Sequence, residues 1–264
     1  MQAEKRVVQA WWEEHPCEAE DWAERGLTRE YFDRIAAHRY QTHPYIVPFA
    51  EFDSWRGARV LEIGVGLGTD FCRWAAQSHA FGVDLTVQGA GLTRANLALH
   101  DLKGSLYRGD AEQLPFRDES FDLVYSFGVL HHTPDVAAAV REIHRVLRTA
   151  GEIRIMLYHI WSWVTFRTWL YYSLARGRLW CSPRSVLAEH MESPGTKAYT
   201  LDEVRALFRD FRDVDVRVML TTYDRWDESR RAGIVGVAHR FWPRWLVTVL
   251  GNSLGWNLLI SGKK

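Results

Sequence analysis

The chain has 264 residues, 47% of them hydrophobic, enough to close one large α/β domain around its own core. Lys and Arg total 33, as do Asp and Glu, so no net charge pulls the whole molecule toward nucleic acid. The opening MQAEKRVVQAWWEEHP lacks the apolar run and small-residue cleavage site of a secretory signal, and Cys17, Cys72 and Cys181 are odd in number and far apart. A cytoplasmic location, reduced thiols and no metal cluster are therefore expected.

In chain order, residues 1–56 contain helical stretches such as REYFDRIAAHRY, with Pro44 and Pro48 interrupting the pattern after it, and form an expected N-terminal helical cap. From 57 to 157 short apolar runs alternate with helical segments, which predicts a parallel sheet covered on both faces. ARVLEIG, AFGVDL, GSLYRGD, FDLVYSFGV and GEIRIML are the five predicted strands. Helices are predicted from Thr69 to Ser78, from Thr86 to Leu102 and over DVAAAVREIHRVLR, the last stopped by Gly151.

Beyond Leu157 the rhythm stops for about forty residues and resumes at YTLDEVRALFRDF, where Thr200 and Glu203 stand at capping-box spacing. DVDVRVMLTT and GWNLLISGKK complete the strands, separated by an irregular segment at 224–253. The expectation is one domain over 1–264, with an insertion at 158–199 and the C-terminal part of the sheet at 200–264.

The first strand runs into Gly64, Gly66 and Gly68, so bare backbone lies at the carboxyl edge of the sheet, where open α/β folds bind ligands. Glycine is common in any tight strand-to-helix turn, and alone this says little. Three successive strands, however, each end in an acid: Glu62, Asp84 and Asp110. Asp84 follows Gly64 at the distance from which a carboxylate holds both hydroxyls of a ribose, roughly 20 residues. The glycines read G-V-G-L-G where a dinucleotide site reads G-x-G-x-x-G, which fits a ligand without pyrophosphate. An acidic lining repels phosphate and suits an ammonium and a sulfonium.

VLEIGVGLGTD, GVDLT, GDAEQLPF, FDLVYSFGVLHHTPD and VREIHRVLRTAGEIRI, in this order, resemble the class I S-adenosylmethionine-dependent methyltransferases, above all the small-molecule branch with the quinone-biosynthesis C-methyltransferases. The resemblance implies an α/β fold: a doubly wound, seven-stranded, mostly parallel Rossmann-like sheet with an antiparallel last strand. It implies S-adenosyl-L-methionine as cofactor, leaving S-adenosyl-L-homocysteine. Gly64, Gly66 and Gly68 would line the methionine and ribose, Asp84 the ribose, Asp110 with Ala111 the adenine and Glu62 the amino group, with Leu85 and Phe127 also at the cofactor.

Methyl transfer from a sulfonium is an in-line displacement that asks chiefly for positioning and desolvation. A base is needed where the nucleophile carries a proton, and His131, His132 and Tyr158 at the sheet edge are the catalytic candidates. Helix capping or loop packing accounts for them equally well. Tyr31, Arg39 and Tyr40 on the cap helix, with His159 and Trp161 after the fifth strand, are the candidate substrate residues.

The chain lacks the Asp/Asn-Pro-Pro-aromatic stretch of nucleic-acid amino methyltransferases, so a small-molecule metabolite, apolar or aromatic, is expected and nucleic acid is not. The stretch HIWSWVTFRTWLYYSLARGRLW supplies four of the 13 tryptophans, and Trp161, Trp169 and Tyr172 can share one helix face. It is read as an aromatic lid, with a core or homodimer-interface helix as the alternative. No membrane span is expected, because Gly251, Asn252, Ser253 and Gly255 interrupt the last apolar run. A peripheral enzyme acting on lipid, or a cofactor-binding protein without methyl transfer, stays open.

Overall fold

The protein is described from a computed structural model, which covers residues 2–16, 26–173, 177, 180–225, 242 and 244–264. The cap comprises α1 (Gln2–Glu14), α2 (Arg29–Thr42) and the short α3 (Ile46–Ala50). Thr28 starts α2 by accepting a hydrogen bond from the Tyr31 amide. Pro44 lies between helices as expected, but Pro48 sits inside α3. It occupies the first turn, where an amide hydrogen has no intrahelical partner to lose.

The core then runs β1 (Arg59–Ile63), α4 (Thr69–Ala75), β2 (His79–Asp84), α5 (Val87–Leu99), β3 (Ser105–Arg108), β4 (Phe121–Phe127), α6 (Val136–Val146) and β5 (Leu147–Tyr158). All four pairings among these five strands are parallel. Two helices, α7 (Trp163–Tyr172) and α8 (Pro183–His190), occupy the insertion. After α9 (Leu201–Leu207) and β6 (Arg212–Met219) come α10 (Thr222–Arg225), α11 (Arg244–Leu250) and β7 (Asn257–Lys263).

The sheet order is β3-β2-β1-β4-β5-β7-β6, and β7 runs antiparallel to both of its neighbours. Alternate residues of the central strands enter two cores. Leu61, Val124 and Ile155 face one, while Val60, Tyr125 and Met156 face the other, and that is why these strands are apolar throughout.

Three expectations need correction. Gly151 does not end α6: the helix stops at Val146, β5 begins at Leu147, and the left-handed residue is Ala150 at φ 63°. Gly151 instead allows close approach, since a Cβ there would stand 3.0 Å from the Arg148 carbonyl oxygen and 3.2 Å from that of Asp122.

The stretch after Leu157 is also more regular than its pattern suggests. Ser182 and Pro183 supply an N-cap and a first-turn proline for α8. Ser162 takes the N-cap of α7, so Trp161 falls outside that helix, 60% exposed, and shares no helix face with Trp169. Among the described residues, no helix is long and apolar enough to cross a membrane. Cys17, Arg176, Arg178 and most of the irregular segment at 224–253 lie outside the described residues.

Candidate functional site

At the carboxyl edge of the sheet lies a cavity of about 740 Å³, lined by Glu62, Gly64, Gly66, Asp84, Leu85, Asp110, Ala111 and Phe127. Tight backbone turns bring these groups together. Gly64 (φ 79°) donates to the Val83 carbonyl at 2.7 Å, and a Cβ on it would collide with both γ-methyls of Val129. The Asp84 carboxylate accepts from the Gly66 amide at 3.0 Å and from the Thr86 amide and hydroxyl at 2.9 and 2.6 Å.

Gly68 does not line the cavity. At φ 76° it lies where a Cβ would stand 2.8 Å from Thr93 Cγ2, so it allows α4 to pack on α5. The third glycine thus serves helix packing here too.

Helix α1 roofs the cavity. Lys5 donates to Asp110 at 2.6 Å and pairs with Glu112 at 2.5 Å. At the other end of α1, Glu13 accepts from the Val87 and Gln88 amides at the start of α5, where the helix dipole favours a carboxylate. Lys5, Val8 and Trp12 line the cavity wall.

Helix α2 is held by charge. Arg39 grips Asp70 through Nε (3.2 Å) and Nη2 (2.7 Å), and the Tyr40 and Tyr125 hydroxyls donate to the same carboxylate at 2.9 and 2.7 Å. Tyr31 and Arg39 line the cavity, whereas Tyr40 stands behind it in this network. Burial pushes the Glu62 carboxyl well above its ordinary range, with the neighbouring Asp70 charge adding to the effect, and its Oε2 has no hydrogen-bond partner. An orphaned buried carboxylate oxygen beside a glycine cradle fits an ammonium group.

At the far end, His131 and His132 part company. His131 is fully buried outside the cavity lining, has no partner on either ring nitrogen and packs on Tyr158 at 3.7 Å between centroids; burial drives its pKa well below the usual imidazole value. It forms no part of the cavity wall. His132 does line the cavity, with Nδ1 at 2.8 Å from Ser193 Oγ and 3.1 Å from Thr196 Oγ1. Its Nε2 is 3.2 Å from Glu192 Oε2, a close contact outside hydrogen-bond geometry.

Tyr158 lines the cavity and donates to both oxygens of Glu192, at 2.9 and 3.0 Å. His159 is turned away, its Nδ1 bonded to the Gly255 carbonyl at 3.1 Å, and exposed Trp161 is also absent from the lining. Arg167 is likewise committed, donating to the Tyr223 carbonyl at 2.7 Å. Of α7, Trp163, Val164, Thr165 and Thr168 are buried, so its inner face is part of the core.

Glu192, Lys5, Trp12, Met156, Tyr223, Trp256 and Asn257 are wall residues that the motifs did not single out. For Glu192 the only signal was its place beside SPGTKAY. Donor atoms of His131, His132 and Glu192 lie within 4.8 Å of one another. The one carboxylate there accepts from Tyr158, and neither nitrogen of His131 has a hydrogen-bond partner.

Residues 61–155 match a methyltransferase domain family. The demethylmenaquinone methyltransferase of Roseiflexus sp. (strain RS-1) is 34% identical over 137 residues, covering 46% of this chain and 56% of that protein. The 27-O-demethylrifamycin SV methyltransferase of Amycolatopsis mediterranei (strain S699) is 32% identical over 103 residues, 38% of each chain. The chain thus spans about half the length, or less, of these curated relatives.

Among solved structures, a methyltransferase bound to the Haloferax volcanii Trm112 activator aligns with TM-score 0.61 and 18% identity over 94% of this chain and 98% of that one. An S-adenosylmethionine-dependent methyltransferase from Thermotoga maritima aligns with TM-score 0.57 and 19% identity over 97% and 99%. At such identities the likeness concerns the fold. Domain match, sheet order and cavity agree: the chain carries a class I S-adenosylmethionine-dependent methyltransferase domain, similar to that of the quinone-biosynthesis methyltransferases.

Proposed function

We propose that the protein transfers the methyl group of S-adenosylmethionine to a small, apolar or aromatic metabolite. The observation that carries this reading is one cavity with two unlike ends. One end has Glu62, Asp84 and Asp110 beside the glycine turn; the other is walled by Trp12, Met156, Tyr158, Tyr223 and Trp256, with His132, Glu192 and Asn257 among them. When bound, the cofactor supplies a methyl group activated on a sulfonium. Asp84 would hold the ribose, Asp110 with Ala111 the adenine and Glu62 the ammonium. The chain's remaining task is to orient the acceptor and exclude water, for which α1 is pinned over the cavity at both ends.

The test is calorimetry with S-adenosylhomocysteine, followed by mass spectrometry of cell extract incubated with the protein and methyl-labelled cofactor. Binding together with a labelled small molecule supports the proposal. Binding without any labelled product points to a cofactor-binding protein, and no binding rejects the reading.

A second reading, action on a lipid acceptor at a membrane surface, is favoured by exposed apolar side chains near α7 and on α11: Trp161, Phe166, Trp245 and Val249. Co-sedimentation with phosphatidylcholine vesicles tests it. Loss of sedimentation on changing Trp161 and Trp245 to Ser would support a membrane-facing patch.

A further inference from the structure

Glu192 lies at the acceptor end of the cavity with φ 33°, a backbone conformation that L-residues seldom adopt and that its neighbours must hold in place. Buried Ser193 and Thr196 both contact Nδ1 of His132, Thr196 donates to the Ser193 carbonyl at 2.6 Å, and Lys197 Nζ donates to the Thr133 carbonyl at 2.6 Å. Residues 192–197 are thereby clamped onto the turn at 131–133. What the clamp sets is the direction of one carboxylate. Tyr158 donates to both of its oxygens, His132 Nε2 stands beside Oε2, and the side chain keeps 41% of its surface exposed. An ionised carboxylate offers about four lone-pair sites, so Tyr158 and His132 leave accepting capacity for a ligand.

We propose that Glu192 takes the proton from a hydroxyl-bearing acceptor and that the oxygen so freed receives the methyl group. This inference rests on the methyl-transfer reading above. A carboxylate facing the acceptor would hold an amine as its ammonium, whose lone pair is unavailable, and would repel a thiolate. A hydroxyl is neutral near pH 7 and donates to a carboxylate, which is what makes its oxygen nucleophilic as the proton leaves.

In the step, an oxygen lone pair forms the new O–C bond while the C–S bond breaks and its electron pair goes to sulfur. The hydroxyl proton moves to a Glu192 oxygen and from its exposed side to solvent. A sulfonium and a carboxylate are consumed together, leaving a thioether, an ether and a carboxylic acid, and a low-dielectric cavity favours such charge annihilation. Among the described groups, Tyr158 and His132 face Glu192 directly, with His131 and Lys197 behind them. Tyr158 and His132 are positioning residues.

The test uses the 264-residue chain saturated with S-adenosylhomocysteine and 4-nitrophenol, whose phenol and phenolate absorb at different wavelengths. A carboxylate at the probe's oxygen disfavours its anion, so the ionisation of bound 4-nitrophenol should lie about one pH unit higher in wild type than in Glu192→Gln. S-adenosylhomocysteine affinity should be equal in both, which separates this inference from the reading beneath it and shows that the variant is folded. With labelled cofactor and extract, the label should sit on oxygen, and Glu192→Gln should lower kcat about 100-fold or more with little change in cofactor KM. The proposal is overturned by equal ionisation in the two proteins, by failure of 4-nitrophenol to bind, by label on carbon, sulfur or nitrogen, or by turnover that a chelator abolishes and a divalent cation restores.

Discussion

Arg39 and Asp70 form a forked ion pair across the seam between α2 and α4, with Nε and Nη2 at 3.2 and 2.7 Å from the two carboxylate oxygens. The pair joins the cap to the glycine turn, because Asp70 lies in the first turn of the helix that this loop begins. Burial works against the Asp70 charge, but the Arg39 charge and the hydrogen bonds from Arg39, Tyr125 and Tyr40 outweigh it and hold the carboxyl below its ordinary value.

Removing the cation should therefore be costly. Arg39→Ala leaves a buried carboxylate with only two phenols and should lose about 3–5 kcal/mol at neutral pH, read from urea unfolding. A carboxyl held below its unfolded value contributes stability that is complete above that value and lost as pH falls through the folded one. The wild-type and variant stabilities should accordingly converge as pH drops below about 4. A difference that persists unchanged into acid would place the cost in packing.

Glu62 behaves in the opposite sense. Its folded pKa is raised by burial and by Asp70, so the folded chain keeps a proton that the unfolded chain releases, and its ionisation costs stability as pH rises between the two values. An ammonium placed beside it favours the ionised form. S-adenosylhomocysteine binding should then release a proton and tighten as pH rises above the ordinary glutamate value of about 4.3. Calorimetry at matched pH in pairs of buffers that differ in ionisation enthalpy, stepped upward from that value, should give different apparent enthalpies for wild type where the raised carboxyl is still protonated and equal ones for Glu62→Gln.

Asp84→Ala removes a carboxylate that braces the turn through Gly66 and Thr86 and still has accepting capacity toward the cavity. Affinity for S-adenosylhomocysteine should fall about tenfold or more, given charge-assisted hydrogen bonds of roughly 1.5–3 kcal/mol each. Unchanged affinity by calorimetry would remove the ribose assignment.

Gly64→Ala meets two obstacles, a left-handed backbone and the Val129 side chain in the space a Cβ would take. The backbone alone costs about 1–2 kcal/mol, and the collision adds to it. Melting temperature should drop, and adding Val129→Ala should recover only some of the collision, because the Val129 Cβ still lies 2.9 Å from the added carbon, and none of the backbone part. Full recovery would mean that φ carries no strain there.

The order of strands and helices was legible along the chain because periodicity, capping and turn chemistry are set by residues a few positions apart. The apolar runs of β1 and β4, Thr200 with Glu203, and the glycine turn after β1 are all local signals. Glu62, Asp84 and Asp110 could be named for the same reason: each stands within two residues of the end of a strand, and parallel strands bring such ends to one edge. At Gly151 the chain alone misplaced the helix end, because a glycine that ends a helix and one that lets a strand pass close to the Arg148 carbonyl and to the Asp122 carbonyl of a neighbouring strand look alike in sequence.

The acceptor end belongs to tertiary structure. His131 and His132 are adjacent in the chain, yet packing buries one outside the cavity lining and leaves the other on its wall. Lys5 reaches Asp110 across 105 positions, and Glu192 meets Tyr158 across 34. No periodicity encodes such meetings; they arise from where α1 and the insertion dock once the sheet has formed, and that docking is settled by the burial of side chains far apart in the chain.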